Sequence, residues 1–257
     1  MDKSLQRMTL FLVSLAAFLI PFMGSSLSLA LPFIGSEFQV NLVSLGWIIT
    51  AFLLANTAFI LPFGRLADIY GRRKIFTLGI LVYTLASFFA AFSSSGMILI
   101  LYSFMQGLGC ALIFATMVAL LSSVFPMDRR GEALGIYVSA VFIGLFLGPL
   151  LGGFLIQQWG WRSIYLFNVP IGVILLLILF WKFKWEWAES KGEHFDVTGS
   201  VLYIISLLAI LYGFTSSTDY MGTMILSLGF LGLIGFILIE KNSKSPILPL
   251  SIFNNRL

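Results

Sequence analysis

The densest cluster of ionisable side chains is Gly64-Arg65-Leu66-Ala67-Asp68-Ile69-Tyr70-Gly71-Arg72-Arg73-Lys74, one acid among four bases with a glycine on either side of the acid. Such a set makes ion pairs; it holds no nucleophile with an adjacent base and no ligand set for a metal. The bland reading is a basic loop at a membrane surface. That accounts for Arg and Lys, but not for an Asp flanked by glycines seven residues apart, a spacing suited to tight turns and a helix-end partner. A second stretch, Gly144-Leu145-Phe146-Leu147-Gly148-Pro149-Leu150-Leu151-Gly152-Gly153, is uncharged. It places small residues on one helical face and a proline inside the helix, which permits close helix approach and a bend; ordinary helix packing is the alternative. With one His and one Cys in 257 residues, zinc clusters and internal disulfides lose their main support. No cofactor and no metal site are expected.

The elements that must position these residues are membrane helices. Of the residues, 59% are hydrophobic and 10% charged, with a mean hydropathy of +1.02. That composition excludes a soluble globular enzyme and a disordered chain. Uncharged intervals of about 20 residues are needed to span a bilayer, and eight occur: 8–31, 42–63, 75–92, 97–124, 133–157, 163–181, 197–217 and 220–239. Lys3 and Arg7 precede the first, but it is too long for the apolar run of a secretory leader. With the N-terminus cytoplasmic, every Lys and Arg falls on the inner side except Arg162, so both termini are expected to be cytoplasmic. The net charge of +4 and pI near 9.3 then reflect topology, and nucleic acid is not expected as a partner.

The 64–74 stretch resembles the full signature loop of the major facilitator superfamily, with every expected residue present. The resemblance implies a cytoplasmic gate in which Gly64, Asp68, Gly71, Arg72, Arg73 and Lys74 take part, with Asp68 pairing to bases and a helix end and Arg72 its nearest local partner. Gly144, Gly148, Pro149, Gly152 and Gly153 are similar to the motif that marks antiporters of that superfamily. The stretches Trp159-Gly160-Trp161-Arg162-Ser163 and Phe167-Asn168-Val169-Pro170-Ile171-Gly172 resemble the outer junction before the sixth helix of its fourteen-helix drug:proton antiporters. That branch has two extra helices between its halves. The implied fold is all-α integral membrane: an N-terminal six-helix transporter half at 1–183, a cytoplasmic linker at 184–196, two inserted helices at 197–240, and a linker at 241–257 towards a second half. The acidic and basic residues of the first linker read most simply as a solvated loop, and Glu37 likewise as solvated.

The chain departs from that branch in its interior. Residues 8–36, 38–64, 75–127 and 133–161 contain no Asp, Glu, Lys, Arg or His. The branch often carries an acid nine residues before the proline of Ala-Leu-Pro, where this chain has Met23, and an arginine three residues before Gln-Gly-x-Gly, where it has Ser103. Coupling would then use a missing half or a different ion. Met23, Ser25, Asn56, Ser103, Gln106 and Tyr137 remain as substrate-pathway candidates, against the simpler reading of helix-to-helix hydrogen bonds. Three functions follow: gradient-driven efflux of small amphipathic molecules from the cell membrane; one half of a split transporter that pairs with a separate C-terminal half or with itself; or a truncated protein that moves nothing. Lipids and a small-molecule substrate are the expected partners, and an enzyme is not expected.

Overall fold

A computed structural model describes residues 3–216, 220–242 and 245–248. Among them the chain forms helices α1 (Lys3–Phe38), α2 (Leu42–Tyr70), α3 (Arg72–Ala91), α4 (Gly96–Val124), α5 (Met127–Trp159), α6 (Arg162–Trp181), α7 (Val197–Thr215) and α8 (Tyr220–Asn242). All eight are long and apolar enough to cross a membrane, giving a six-helix bundle with a further α7–α8 pair. The end of the seventh expected span, at Ser217, and most of the 241–257 linker lie outside the described residues.

Helices overrun the intervals drawn from charge, because apolarity sets where the bilayer is and backbone chemistry sets where a helix stops. At 36 residues α1 is about 54 Å long, against about 30 Å of hydrocarbon. It ends near Gln39, whose φ is 52°, and Asn41 then caps α2 by accepting from the Ser44 N–H at 2.8 Å. Ser95 caps α4 in the same way through the Ile98 N–H.

Packing partners are mostly not neighbours in sequence. The α1 helix lies along α5, α2 and α3 flank α4, and α6 lies along α3. One core cluster, with Leu12, Phe76, Met117, Leu175 and Phe183, fills the end of the bundle that carries the α2–α3 junction. A second, with Ile34, Ile48, Leu99, Trp161 and Tyr165, fills the opposite end. The α7–α8 pair docks through α7 onto α2, where the Trp47 and Tyr212 rings meet at 5.7 Å.

Candidate functional site

Residues 64–74 are not a loop. Arg65, Leu66 and Ala67 are good helix formers, so α2 runs through Gly64 to Tyr70, and Gly64 sits within the helix, facing Ala115. The break is Gly71 alone, at φ 115°, a conformation that side chains resist. Asp68 therefore stands in the last turn of α2, where the helix dipole disfavours a carboxylate. Arg72 offsets this: its Nε and Nη2 donate to Asp68 Oδ1 at 3.0 and 2.9 Å. Buried at 6% exposure, Arg72 also donates from Nη1 to Ser123 Oγ at 2.7 Å and pairs with Glu189 Oε1 at 2.8 Å. One guanidinium thus joins α2, α3, α4 and the linker after α6. Arg73 Nη2 donates to Leu179 O at 2.8 Å, while Lys74 lines a surface pocket beside Tyr70, Glu186 and Lys191.

The linker before α7 is docked onto this junction, which corrects the reading of it as a solvated loop. Phe183 is buried, its ring tilted against that of Trp187 with centroids 5.9 Å apart. The Arg72 N–H donates to Trp187 O and the Ser190 N–H to Asp68 O, at 2.8 and 2.9 Å. Glu186 Oε1 accepts from the Arg73 N–H at 2.8 Å, so close to Gly71 that a Cβ there would lie 2.5 Å from the carboxylate. Ser190 and Glu193 both accept from the Arg65 guanidinium. Glu186, Glu189 and Glu193 each answer a base or a free N–H at a helix start, which the linker sequence could not show because those partners lie more than a hundred residues away.

On the α1–α5 seam, Gly144, Gly148 and Gly152 recur every four residues and so share a face. A Cβ on them would collide with Phe18 O, Ser25 Oγ and Ser26 Oγ respectively. Ser26 Oγ donates to Gly148 O at 2.9 Å across the contact. Gly153 departs from the expected shared face: its nearest neighbour would be Leu29 Cδ1 at an ordinary 3.8 Å. Pro149 is exposed on the far side, and α5 continues through it.

The six pathway candidates do not converge. A cavity of about 210 Å³ lies between α1, α2 and α4, and of the six only Met23 and Gln106 line it, with Gly24, Leu27, Ile49, Phe52 and Leu53. Gln106 is anchored, its Nε2 donating to Ser87 Oγ at 2.8 Å. Ser25 belongs to the seam instead, its hydroxyl donating back to Pro21 O at 2.8 Å. Asn56 is half-buried away from the cavity, Ser103 is fully buried beside the Tyr165 hydroxyl, and Tyr137 packs on the junction-end core. Short polar side chains in a uniformly apolar helix bond to backbone as readily as they face a cavity, so type alone did not separate them.

Two polar residues went unmarked as sites. Asn168, fully buried on α6, donates from Nδ2 to Met23 Sδ at 3.3 Å and to Ile164 O at 2.8 Å, while its Oδ1 has no partner. Glu240, 2% exposed near the end of α8, accepts from the Leu248 N–H at 2.6 Å. For Asn168 a lone amide in an apolar helix was the available signal; Glu240, followed by Lys241 and Asn242, reads in sequence as an ordinary polar helix end.

At the opposite end Glu37 is also not simply solvated. It accepts from Trp161 Nε1 and from Arg162 Nη1, both at 2.7 Å, and Arg162 lies 4.3 Å over the Trp161 ring while Nη2 donates to Ser93 O. This ties the ends of α1, α3 and α6. Because the pair is partly solvated, Glu37→Ala is expected to destabilise by about 1 kcal/mol, a fall of a few degrees in apparent Tm at matched scan rate. An unchanged Tm would mean the clamp contributes nothing.

Known proteins resemble this arrangement over almost the whole chain. Against the riboflavin transporter RibZ of Clostridioides difficile (strain 630) identity is 31% over 250 residues, covering 96% of this chain and 54% of that protein. Against the multidrug resistance protein Stp of Mycobacterium tuberculosis (strain CDC 1551 / Oshkosh) it is 31% over 256 residues, covering 97% and 48%. The chain thus spans about half the length of the curated relatives it matches. The in meso crystal structure of the POT family transporter PepTSo superimposes with a TM-score of 0.65 at 14% identity, covering 92% of this chain and 52% of that one, a likeness of fold. With the profile of the Major Facilitator Superfamily matching residues 13–251, this chain belongs to that superfamily.

Proposed function

We propose that the chain is the N-terminal portion of an efflux transporter of the cell membrane that exports small amphipathic molecules by alternating access, driven by an ion gradient. The observation that carries this is the cavity between α1, α2 and α4: its lining is apolar and aromatic except for the anchored amide of Gln106, a surface suited to a flat, weakly polar cargo. Transport of riboflavin by one relative and multidrug resistance conferred by the other support a small-molecule cargo. The distribution of Lys and Arg supports a cytoplasmic α2–α3 junction and cytoplasmic termini. On that reading, Asp68, Arg72 and the docked linker form one side of the inner gate.

A transporter of this class binds cargo between two repeats and rocks one against the other. The second repeat would cover the outer faces of α2 and α5, where Leu53, Phe142, Phe146 and Leu150 stand more than half exposed. It would also supply the coupling group, since the interiors of α1 to α5 hold no acid or base. The test is export of riboflavin and of a planar cationic dye from cells that make this chain together with a C-terminal half, against cells that make the chain alone. Export is expected only from the pair. Full-rate export by the chain alone would overturn the half-transporter reading, and none from the pair would overturn efflux. In the exporting pair, Leu53→Trp, which fills the cavity mouth from an exposed position, is expected to raise the apparent KM about tenfold with normal expression. An unchanged KM would remove the cavity from the pathway.

A further inference from the structure

Among the described arginines, Arg65, Arg72, Arg73, Arg129, Arg130 and Arg162 all donate to a named acceptor. Arg7 alone has no hydrogen bond or ion pair with a described residue. It projects into a pocket of about 340 Å³ between the start of α1 and the start of α5, with Lys3, Arg129 and Glu132. Glu132 does not neutralise the pocket, because its Oε2 is already held by Arg129 Nε and Nη2 at 3.3 and 3.2 Å. Among the described lining residues three bases, Lys3, Arg7 and Arg129, face the one acid. The pocket also has an apolar side: Leu10 and Ile136 line it, and both stand where α1 and α5 enter their apolar runs.

We infer that this pocket binds the phosphate of an anionic phospholipid, with Arg7 as the principal ligand and the upper acyl chain against Leu10 and Ile136. A guanidinium presents a planar fork that matches two phosphate oxygens, and an uncommitted one in a concave basic site at headgroup depth has no other acceptor among the described residues. The inference depends on the junction end facing the cytoplasm, where anionic headgroups attract basic pockets between helices. It does not depend on transport. A free soluble phosphate shares the recognition chemistry but has no use for the apolar wall, so the lipid is the better fit.

Native mass spectrometry on the full chain, released from detergent in the presence of phosphatidylglycerol, phosphatidylcholine or inorganic phosphate alone, tests it. Phosphatidylglycerol is expected to remain bound several-fold more than phosphatidylcholine. Arg7→Ala and Lys3→Ala should each reduce its retention about fivefold, as expected for a base near a charged headgroup. Lys184→Ala with Lys191→Ala, bases of the same side outside the pocket, should leave it unchanged. Arg7 is exposed, so the variants should fold, and size exclusion checks this. Equal retention of both lipids would overturn the inference, as would equal losses from the Lys184 and Lys191 changes or displacement of the lipid by millimolar phosphate. Because the readout is lipid retention, a failed export assay leaves it standing.

Discussion

Gly148→Leu is expected to prevent this chain from accumulating as a monodisperse folded protein. A Cβ at that position meets Ser25 Oγ and comes within 2.9 Å of Phe22 O, so the obstacle is partly backbone that cannot rotate aside. The α1 helix cannot tilt away locally, since Gly144 and Gly152 hold it close one turn to either side, against Phe18 O and Ser26. Separating the helices would also break the Ser26 to Gly148 hydrogen bond. Overpacking a filled site costs about 1–3 kcal/mol, and a full leucine against backbone should reach at least the upper figure, a large share of a marginal stability. Gly153→Leu is the control, because its surroundings begin at 3.8 Å and it should cost well under half as much. Surviving monodisperse fraction after graded heating in detergent compares the two. Equal losses would mean that the seam owes nothing to the recurrence of small residues every fourth position.

The second large effect is expected from Arg72→Met. Methionine replaces the aliphatic stem of the arginine, so packing around the stem is largely kept, but Asp68 is left at the negative end of α2 with its local counter-charge gone, and Ser123 and Glu189 lose a partner. Breaking a fully buried pair costs about 3–5 kcal/mol. The carboxylates here are 34% and 69% exposed, so water takes over part of the role and about 2 kcal/mol is expected. Much of that should appear as release of the linker, which a protease reads directly: trypsin cleavage at Lys184 and Lys191 should accelerate by up to about thirtyfold, the factor equivalent to the whole of that energy. Arg72→Lys keeps the charge but not the fork that reaches Asp68, Ser123 and Glu189 together, and should recover only part of the protection. Cleavage at the parental rate in Arg72→Met would show that the linker is held by its other contacts.

The eight helices were legible because charge is confined to the ends of apolar runs, a constraint that bilayer crossing imposes and that needs no tertiary information. Local pairs were legible too. Asp68 and Arg72 sit four apart across a tight turn, and Gly144, Gly148 and Gly152 repeat at the helical period. What escaped was contact between distant segments of similar composition. Glu186, Glu189 and Glu193 look like any solvated acids until the fold brings Arg65, Arg72 and the Arg73 N–H to them, and Glu37 until α6 brings Arg162. Lining residues escaped for a different reason. In helices that are apolar all round, hydrophobicity does not mark which face is buried, so Ser25 against a glycine and Gln106 in a cavity wall present the same signal. Gly64 shows the converse: a glycine at a motif position suggested a turn, yet favourable neighbours carried the helix through it.

The pairing of α1 with α5 bears on how the protein is made. Roughly 90 residues of chain lie between the end of α1 and the start of α5. A ribosome adding about 5–20 residues per second takes about 5–20 s to produce them. During that interval the first helix stands in the bilayer with its small-residue groove partner unmade and Ser26 without its acceptor, while α2, α3 and α4 enter and pair among themselves. A helix made before α2, α3 and α4 is thus seated on its main partner after them, and an insertase or chaperone that shields α1 would act in that window.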